Sequence, residues 1–109
     1  MKKANETVVL CGASAYEEKY YLNPQFSKLP EHIRQELQIM CVLFTEDVGG
    51  IFQLVFSETG ELEFRTSCDE NDLLYDEIGC GLKIRQLQQT KQELLEALQM
   101  YYKVLYVGI

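Results

Sequence analysis

Residues 51–68, IFQLVFSETGELEFRTSC, decide the fold because they contain two runs of alternating apolar and polar residues with a glycine between them. Alternation with a period of two predicts two strands, each with one apolar face. The two apolar faces lie on the same side of a hairpin only if Phe56 is opposite Leu62, which leaves residues 58–60 as the loop. A loop of this length ends with a residue in the left-handed region, and Gly60 suits that position. The stretch therefore predicts an antiparallel hairpin together with its register.

Two further strands and a helix are predicted before this hairpin. Residues 7–11 and residues 18–22 are rich in β-branched and aromatic side chains, and a short GASA turn separates them. Pro30 suits the first position of a helix, and the glycine pair at 49–50 ends it. Residues 38–45 are largely apolar, so that half of the segment is either a helix buried on several sides or a strand. The helical spacing of the apolar residues before it favours a helix.

The C-terminal third of the chain predicts one long helix, from about Asp72 to about Lys103. Some thirty residues at ~1.5 Å each exceed the width of a domain of this size. On a helical wheel one apolar stripe follows the whole segment and consists of Leu73, Cys80, Ile84, Leu87, Leu94, Leu98, Tyr101 and Leu105. A second stripe is confined to the first half and consists of Leu74, Ile78 and Leu82. We therefore expect the first half to be covered on two sides and the second half on one.

The predicted elements follow one another in the order strand, strand, helix, strand, strand, helix. This order indicates an α+β fold with two layers, in which two helices pack on an antiparallel sheet of about four strands and the C-terminal helix is long. No linker and no internal repeat divides the sequence. We therefore expect residues 1–109 to form a single domain.

Charge and composition exclude several classes of protein. The net charge of −7 disfavours nucleic-acid binding, because neutralising phosphates requires clustered Lys and Arg. No stretch reaches the ~18 apolar residues of a membrane span, and Glu17 and Glu18 interrupt the apolar segment that an export signal would need. The cytoplasm is therefore the expected compartment. The four cysteines lack a C-x-x-C spacing, so we expect free thiols rather than zinc ligands.

The segment SCDENDLLYDEIGCG, residues 67–81, contains five acidic side chains. Asp69, Asp72 and Asp76 are weak candidates for a Mg²⁺ or Ca²⁺ site, although their spacing is not that of a calcium loop. Asp and Asn also cap the free N–H groups at the start of a helix and complement its dipole, and this interpretation is favoured. The glycines at 79 and 81 predict a notch at which another backbone approaches the helix.

No other pattern indicates catalysis or a cofactor. His32, the one histidine, lies in the first turn of a predicted helix, where the helix dipole disfavours its protonated form. Cys68 precedes the acidic segment, whose charges disfavour a reactive thiolate. Neither a nucleophile elbow nor a phosphate-binding glycine loop occurs. The sequence therefore predicts no catalytic residue and no cofactor.

Three quoted stretches carry a resemblance to a known family: residues 8–56, beginning VVLCGASAYEEKYYLNPQF, then LLYDEIG at 73–79 and ELLEALQMYYKV at 93–104. Together they resemble an uncharacterised family of small bacterial cytoplasmic proteins, and the similarity extends over almost the whole chain. The resemblance implies no activity, ligand or catalytic residue.

The functional hypothesis from the sequence is a small acidic interaction module without enzymatic activity. Its partner is expected to be a second copy of the chain or another protein, bound through the end of the long helix. The residues proposed for self-association are Leu87, Leu94, Leu98 and Tyr101. Two alternatives remain: a protein that binds a ligand or divalent cation through residues 69–77, and an enzyme with a pocket that the sequence does not reveal.

Overall fold

In a computed structural model, residues 7–108 form a four-stranded antiparallel sheet with helices on one of its faces. Residues 1–6 and 109 of the predicted single domain lie outside the described part. The strands are β1 (Val8–Ser14), β2 (Lys19–Leu22), β3 (Ile51–Phe56) and β4 (Leu62–Ser67). The helices are α1 (Glu31–Val48), α2 (Glu77–Thr90) and α3 (Gln92–Tyr102), with a 3₁₀ turn at Pro24–Phe26 and a π-helical turn at Lys103–Val107. The predicted α+β class and the number of strands are confirmed.

The β3–β4 hairpin has the predicted register. Phe56 lies opposite Leu62, and each residue of β3 back to Ile51 is paired in turn. Residues 58–60 form the loop, because the backbone N–H of Ser57 donates to the carbonyl of Glu61 at 2.8 Å. Gly60 has φ +90°, so the glycine supplies the positive φ that the turn needs.

The spatial order of the strands is β2-β1-β3-β4, which places β1 in the interior of the sheet. β1 pairs antiparallel with β2 on one side and with β3 on the other. The register against β3 shifts at Leu10, where one extra residue forms a β-bulge between Val9 and Cys11. The chain reaches β3 from β2 through α1, which packs over the sheet on the way.

Residues 38–45 are helical, which confirms the favoured interpretation of that apolar run. One side of α1 faces the sheet and buries Leu37, Met40, Cys41, Phe44, Thr45 and Val48. Ile39 and Leu43 lie on the opposite side and are exposed. The helix ends at Val48, and Gly49 follows with φ +89° while its N–H donates to the carbonyl of Thr45.

The C-terminal helix differs from the prediction at its start and in its middle. Regular helix begins at Glu77 rather than near Asp72, because the preceding segment is held against α1 by the N–H of Asp76, which donates to the carbonyl of Val48 at 3.0 Å. The helix is interrupted at Lys91, whose φ of −111° separates α2 from α3. The Lys91 ammonium reaches Glu36 on α1 at 2.8 Å. Three helices therefore replace the predicted two.

One apolar cluster forms the core between the sheet and the helices. Phe44 of α1 stacks on Phe52 of β3 with ring centroids 4.1 Å apart. Tyr102 of α3 stacks on Phe56 at the same distance. Phe26, from the 3₁₀ turn, packs against Phe56 with centroids 5.6 Å apart and closes that end of the core. The helical layer and the sheet are thus joined by stacked aromatic rings as well as by aliphatic contacts.

Candidate functional site

The candidate metal ligands Asp72 and Asp76 are engaged by the backbone and side chains of the chain itself. Asp76 is the N-cap of α2, and its carboxylate accepts a hydrogen bond from the N–H of Gly79 at 2.8 Å. The carboxylate of Asp72 accepts from the Tyr16 hydroxyl at 2.5 Å and from the N–H of Leu74 at 2.9 Å. The contact of Asp76 matches the capping interpretation, whereas Asp72 stabilises a turn that precedes the helix.

Tyr16 fastens the acidic segment to the turn between β1 and β2. Its hydroxyl donates to Asp72 and accepts from the backbone N–H of Asp69 at 2.9 Å. The hydrogen bond to Asp72 raises the pKa of Tyr16, because ionising the phenol would bring a second negative charge beside that carboxylate. Within residues 7–108 no group of three or more His, Cys, Asp and Glu side chains is arranged to hold a metal ion.

The glycines of α2 are not a notch for another element of the same chain. A methyl group added at Gly81 would have no atom within 4 Å in the structure. One added at Gly79 would meet only the carboxylate of Asp76, the cap of the same helix. Neither glycine therefore forms the predicted notch with another backbone of the described chain, and the Gly81 side of α2 faces outward.

The residues predicted for self-association lie mainly inside the molecule. Leu87, Leu94 and Leu98 are buried members of the core cluster, and Tyr101 packs against it half-buried. A second copy cannot reach the three leucines in this conformation. Self-association stays a prediction, and the side chains available for it are different ones.

Exposed apolar side chains of the helical segments form two groups, one on α1 and around the start of α2 and the other at residues 100–107. Leu73 and Leu74 are 96% and 91% exposed, Ile78 is 79% exposed and Leu82 is 61% exposed. With the half-exposed side chains of α1 they form a set that we call the α1–α2 apolar surface: Ile39, Leu43, Leu73, Leu74, Ile78 and Leu82. The expectation that the second stripe would be covered is thus wrong for the described chain. Such a surface is typical of an interaction site.

Two ion pairs hold α1 and α2 side by side. Lys83 contacts Asp47 at 2.6 Å, and Lys91 contacts Glu36 at 2.8 Å, so the two helices run antiparallel. Leu43 lies one turn before Asp47 and therefore on the side of α1 that carries this ion pair. Leu82 precedes Lys83 and is exposed on α2.

A groove of about 360 Å³ continues the surface between α1 and α2. Ile39, Met40, Leu43 and Leu87 line its apolar part, and His32, Gln35, Glu36 and Lys91 line its polar end. His32 is exposed there, as its position in the first turn of the helix indicated. The α1–α2 apolar surface is thus bordered by polar groups, which is the usual arrangement at a protein interface.

A second feature that the sequence did not indicate is a buried cluster of thiols and a phenol. The sulfurs of Cys11 and Cys41 are 3.7 Å apart, and both side chains are fully buried. The contact with Cys11 and burial raise the pKa of Cys41, so that thiol stays protonated. Burial, then the same two thiols, raise the pKa of Tyr20. Protonated buried thiols are unreactive, so this cluster belongs to the core.

A cavity of about 500 Å³ lies between the β1–β2 turn and α1. Two of the three hydroxyl side chains in its lining are engaged by backbone: Ser14 accepts from the N–H of Glu17, and Thr45 donates to the carbonyl of Val42. Glu18, Lys19 and Glu46 at its rim are exposed. The cavity therefore presents solvated charges at its rim, two hydroxyls that the backbone engages, and Tyr20, whose hydroxyl belongs to the buried cluster with Cys11 and Cys41.

The structure is that of a small α+β domain with an exposed apolar surface. The chain belongs to DUF6145, a family of unknown function whose model matches residues 7–109. The predicted membership of an uncharacterised family is confirmed, while its bacterial origin stays a prediction. No curated protein and no solved structure matches the chain. No helix within residues 7–108 is long and apolar enough to cross a membrane.

The sequence signal for the α1–α2 apolar surface is the second apolar stripe, for which the sequence analysis expects a covering element within the chain. Leu74, Ile78 and Leu82 formed a second apolar stripe on a helix whose first stripe already faced the core. With one sheet and one other helix predicted, little remained in the chain to cover a second face. A stripe without a covering element indicates a surface for a partner.

Proposed function

We propose that this protein is a small acidic interaction module, without enzymatic activity, that associates with a second copy through its C-terminal helical segment. The observation that carries the proposal is the exposure of Leu73, Leu74, Ile78 and Leu82 around the start of α2. Burying a side chain of this size stabilises a complex by roughly 1.5–3 kcal/mol relative to leaving it in water. A chain that presents four of them gains more from a partner than from remaining alone.

The size of the surface supports a specific interface. Six large apolar side chains, each about half to fully exposed, lie on α1, on α2 and in the segment before α2. A standard interface buries about 800 Å² on each partner, of which a little over half is apolar. The α1–α2 apolar surface with its polar border is therefore large enough to form the centre of an interface.

The chemistry of the remaining groups supports binding rather than catalysis. The carboxylates of Asp72 and Asp76 are occupied by capping and turn contacts, and the buried thiol of Cys41 stays protonated. All four cysteines are free thiols, which fits a reducing compartment such as the cytoplasm. We propose the cytoplasm as the place where the module acts.

Sedimentation velocity on the full chain tests the proposal. We expect wild-type protein to sediment as a dimer at micromolar concentration and Leu82→Glu to sediment as a monomer, because a carboxylate would be buried in the interface. Leu105→Glu is the matched control: Leu105 is 56% exposed against 61% for Leu82, and it lies outside the α1–α2 apolar surface. A wild-type monomer at high micromolar concentration, or equal effects of the two substitutions, would overturn the proposal.

A further inference from the structure

We infer that the two copies pair α2 against α2 in antiparallel orientation, about a two-fold axis that passes near Gly81. This inference rests on the proposed function and adds the orientation and the contacts of the partner. It follows from three properties of α2 and the segment before it: the order of its charges, the residues on its outward side and the open space beside its glycine.

In this part of the chain the acidic residues precede Gly81 and the basic residues follow it. The front carries Asp69, Glu70, Asp72, Asp76 and Glu77, whereas the charged residues of α2 after Gly81 are Lys83, which is paired with Asp47, and Arg85. Two copies in parallel orientation would place the acidic fronts side by side and repel each other. In antiparallel orientation Glu77, at the end of the acidic front, lies beside Arg85 of the other copy, so this part of α2 is complementary to itself.

The outward side of α2 has the composition of a helix–helix contact. Gly81 and Leu82 each lie three or four residues from both Ile78 and Arg85, and all four residues are exposed. Glycine inside a helix lowers its stability relative to alanine. Since no described atom lies within 4 Å of a methyl group placed at Gly81, contacts within the chain do not account for it. A glycine there lets the axis of a second helix come close.

Gly81 is also the midpoint between Glu77 and Arg85. Four residues on each side correspond to ~6 Å along the helix axis. A two-fold axis at Gly81 therefore places Glu77 of one copy opposite Arg85 of the other, twice in the dimer, with the two Leu82 side chains next to the axis. Neither Glu77 nor Arg85 forms an ion pair within the part of the chain that the structure describes. Both are exposed and available for this contact.

A charge exchange tests the pairing by sedimentation equilibrium. We expect Glu77→Arg and Arg85→Glu each to raise the dimer Kd by about 10-fold or more, since each places two pairs of like charges together. The double variant should return to within about 3-fold of wild type, because both pairs are restored with their signs exchanged. A double variant whose Kd is no lower than that of either single variant would contradict the pairing.

Cysteine cross-linking gives an orientation test that does not depend on charge. In a Cys68→Ser background, which removes the exposed native thiol, Gly81→Cys lies at the two-fold axis and should form an intermolecular disulfide under mild oxidation. Gln89→Cys lies two turns away, so the two copies of that cysteine are separated by roughly 24 Å along the axis and should stay reduced.

The outcomes separate the orientation from the proposed function. Cross-linking at both positions indicates parallel helices and overturns the inference while self-association stands. A dimer that is sensitive to Leu82→Glu and cross-links at neither position pairs through a different face, which also overturns the inference. A wild-type chain that remains monomeric overturns the proposed function itself.

Discussion

At the scale of the residue, the buried hydroxyl group of Tyr20 lowers the stability of the fold. Its oxygen is buried beside the thiols of Cys11 and Cys41, and among the described residues only the weakly hydrogen-bonding Cys11 thiol, and no nitrogen or oxygen, serves as its partner. A buried hydroxyl that lacks a good partner typically destabilises a fold by about 1–3 kcal/mol. The neutral form is held because burial raises the pKa of Tyr20 above its ordinary value near 10. The unfolded chain therefore loses this proton at a lower pH than the folded chain does.

Tyr20→Phe should raise the free energy of unfolding at pH 8 by about 1 kcal/mol, because it removes the hydroxyl and keeps the ring. The advantage should grow above pH 10, since only the wild-type unfolded state can then release a proton from this position. Urea unfolding at pH 8 and pH 10.5 measures both effects. Tyr21→Phe is the control, because Tyr21 is about half exposed on the same strand and should change little. A loss of stability in Tyr20→Phe would show that the hydroxyl has a good partner.

At the scale of the element, hairpins and helices differ in how much of their structure is local. The β3–β4 register followed from the positions of Phe56, Leu62 and Gly60, all within one short stretch. The two ends of α2 depended on contacts with a helix some thirty to fifty residues away. Asp76 is bound to Val48, and Lys91 is paired with Glu36. A periodic pattern cannot show such contacts, so it predicted one helix where the chain forms two.

Gly60→Val should destabilise the protein by about 1–3 kcal/mol. A β-branched residue is strained at φ +90°, and its Cβ would lie 2.6 Å from the Cγ of Lys103. Glu58→Val is the matched control, because it introduces the same side chain at an exposed position of the same loop where φ is negative. Thermal unfolding followed by circular dichroism should give a lower Tm for Gly60→Val than for Glu58→Val. Equal values would mean that the loop adapts to the new residue.

At the scale of the whole molecule, periodicity predicted which residues are apolar together but not which set faces inward. Both stripes of the C-terminal segment were found in the sequence. Leu98 of the first stripe is 3% exposed, whereas Leu73 of the same stripe and Leu82 of the second stand in solvent. The difference arises because Leu98 belongs to α3, which lies over the core, while Leu73 precedes α2 and Leu82 lies on its outward side. Burial depends on how the sheet and the helices pack together. The candidate surface could therefore be identified only from the structure.

Leu98→Ala should therefore lower the free energy of unfolding by about 2–5 kcal/mol, the usual cost of emptying a core site. Leu82→Ala should change it by less than about 0.5 kcal/mol in dilute protein, where the chain is monomeric. Guanidinium unfolding at submicromolar concentration measures both variants under the same conditions. If the two substitutions cost the same, the assignment of Leu98 to the core and of Leu82 to the surface would be wrong.

The interior position of β1 also has a consequence for the order in which the chain folds. The pairs β1–β2 and β3–β4 close over short loops, but Ser14 meets Ile51 only after β2 and the whole of α1 have been placed. Closing that long loop costs more chain entropy than closing either hairpin. We expect the two hairpins to form early and the docking of β1 against β3 to limit the folding rate. Until that step is complete, β1 in one hairpin and β3 in the other each have an unpaired edge. Such an edge can pair with another nascent chain.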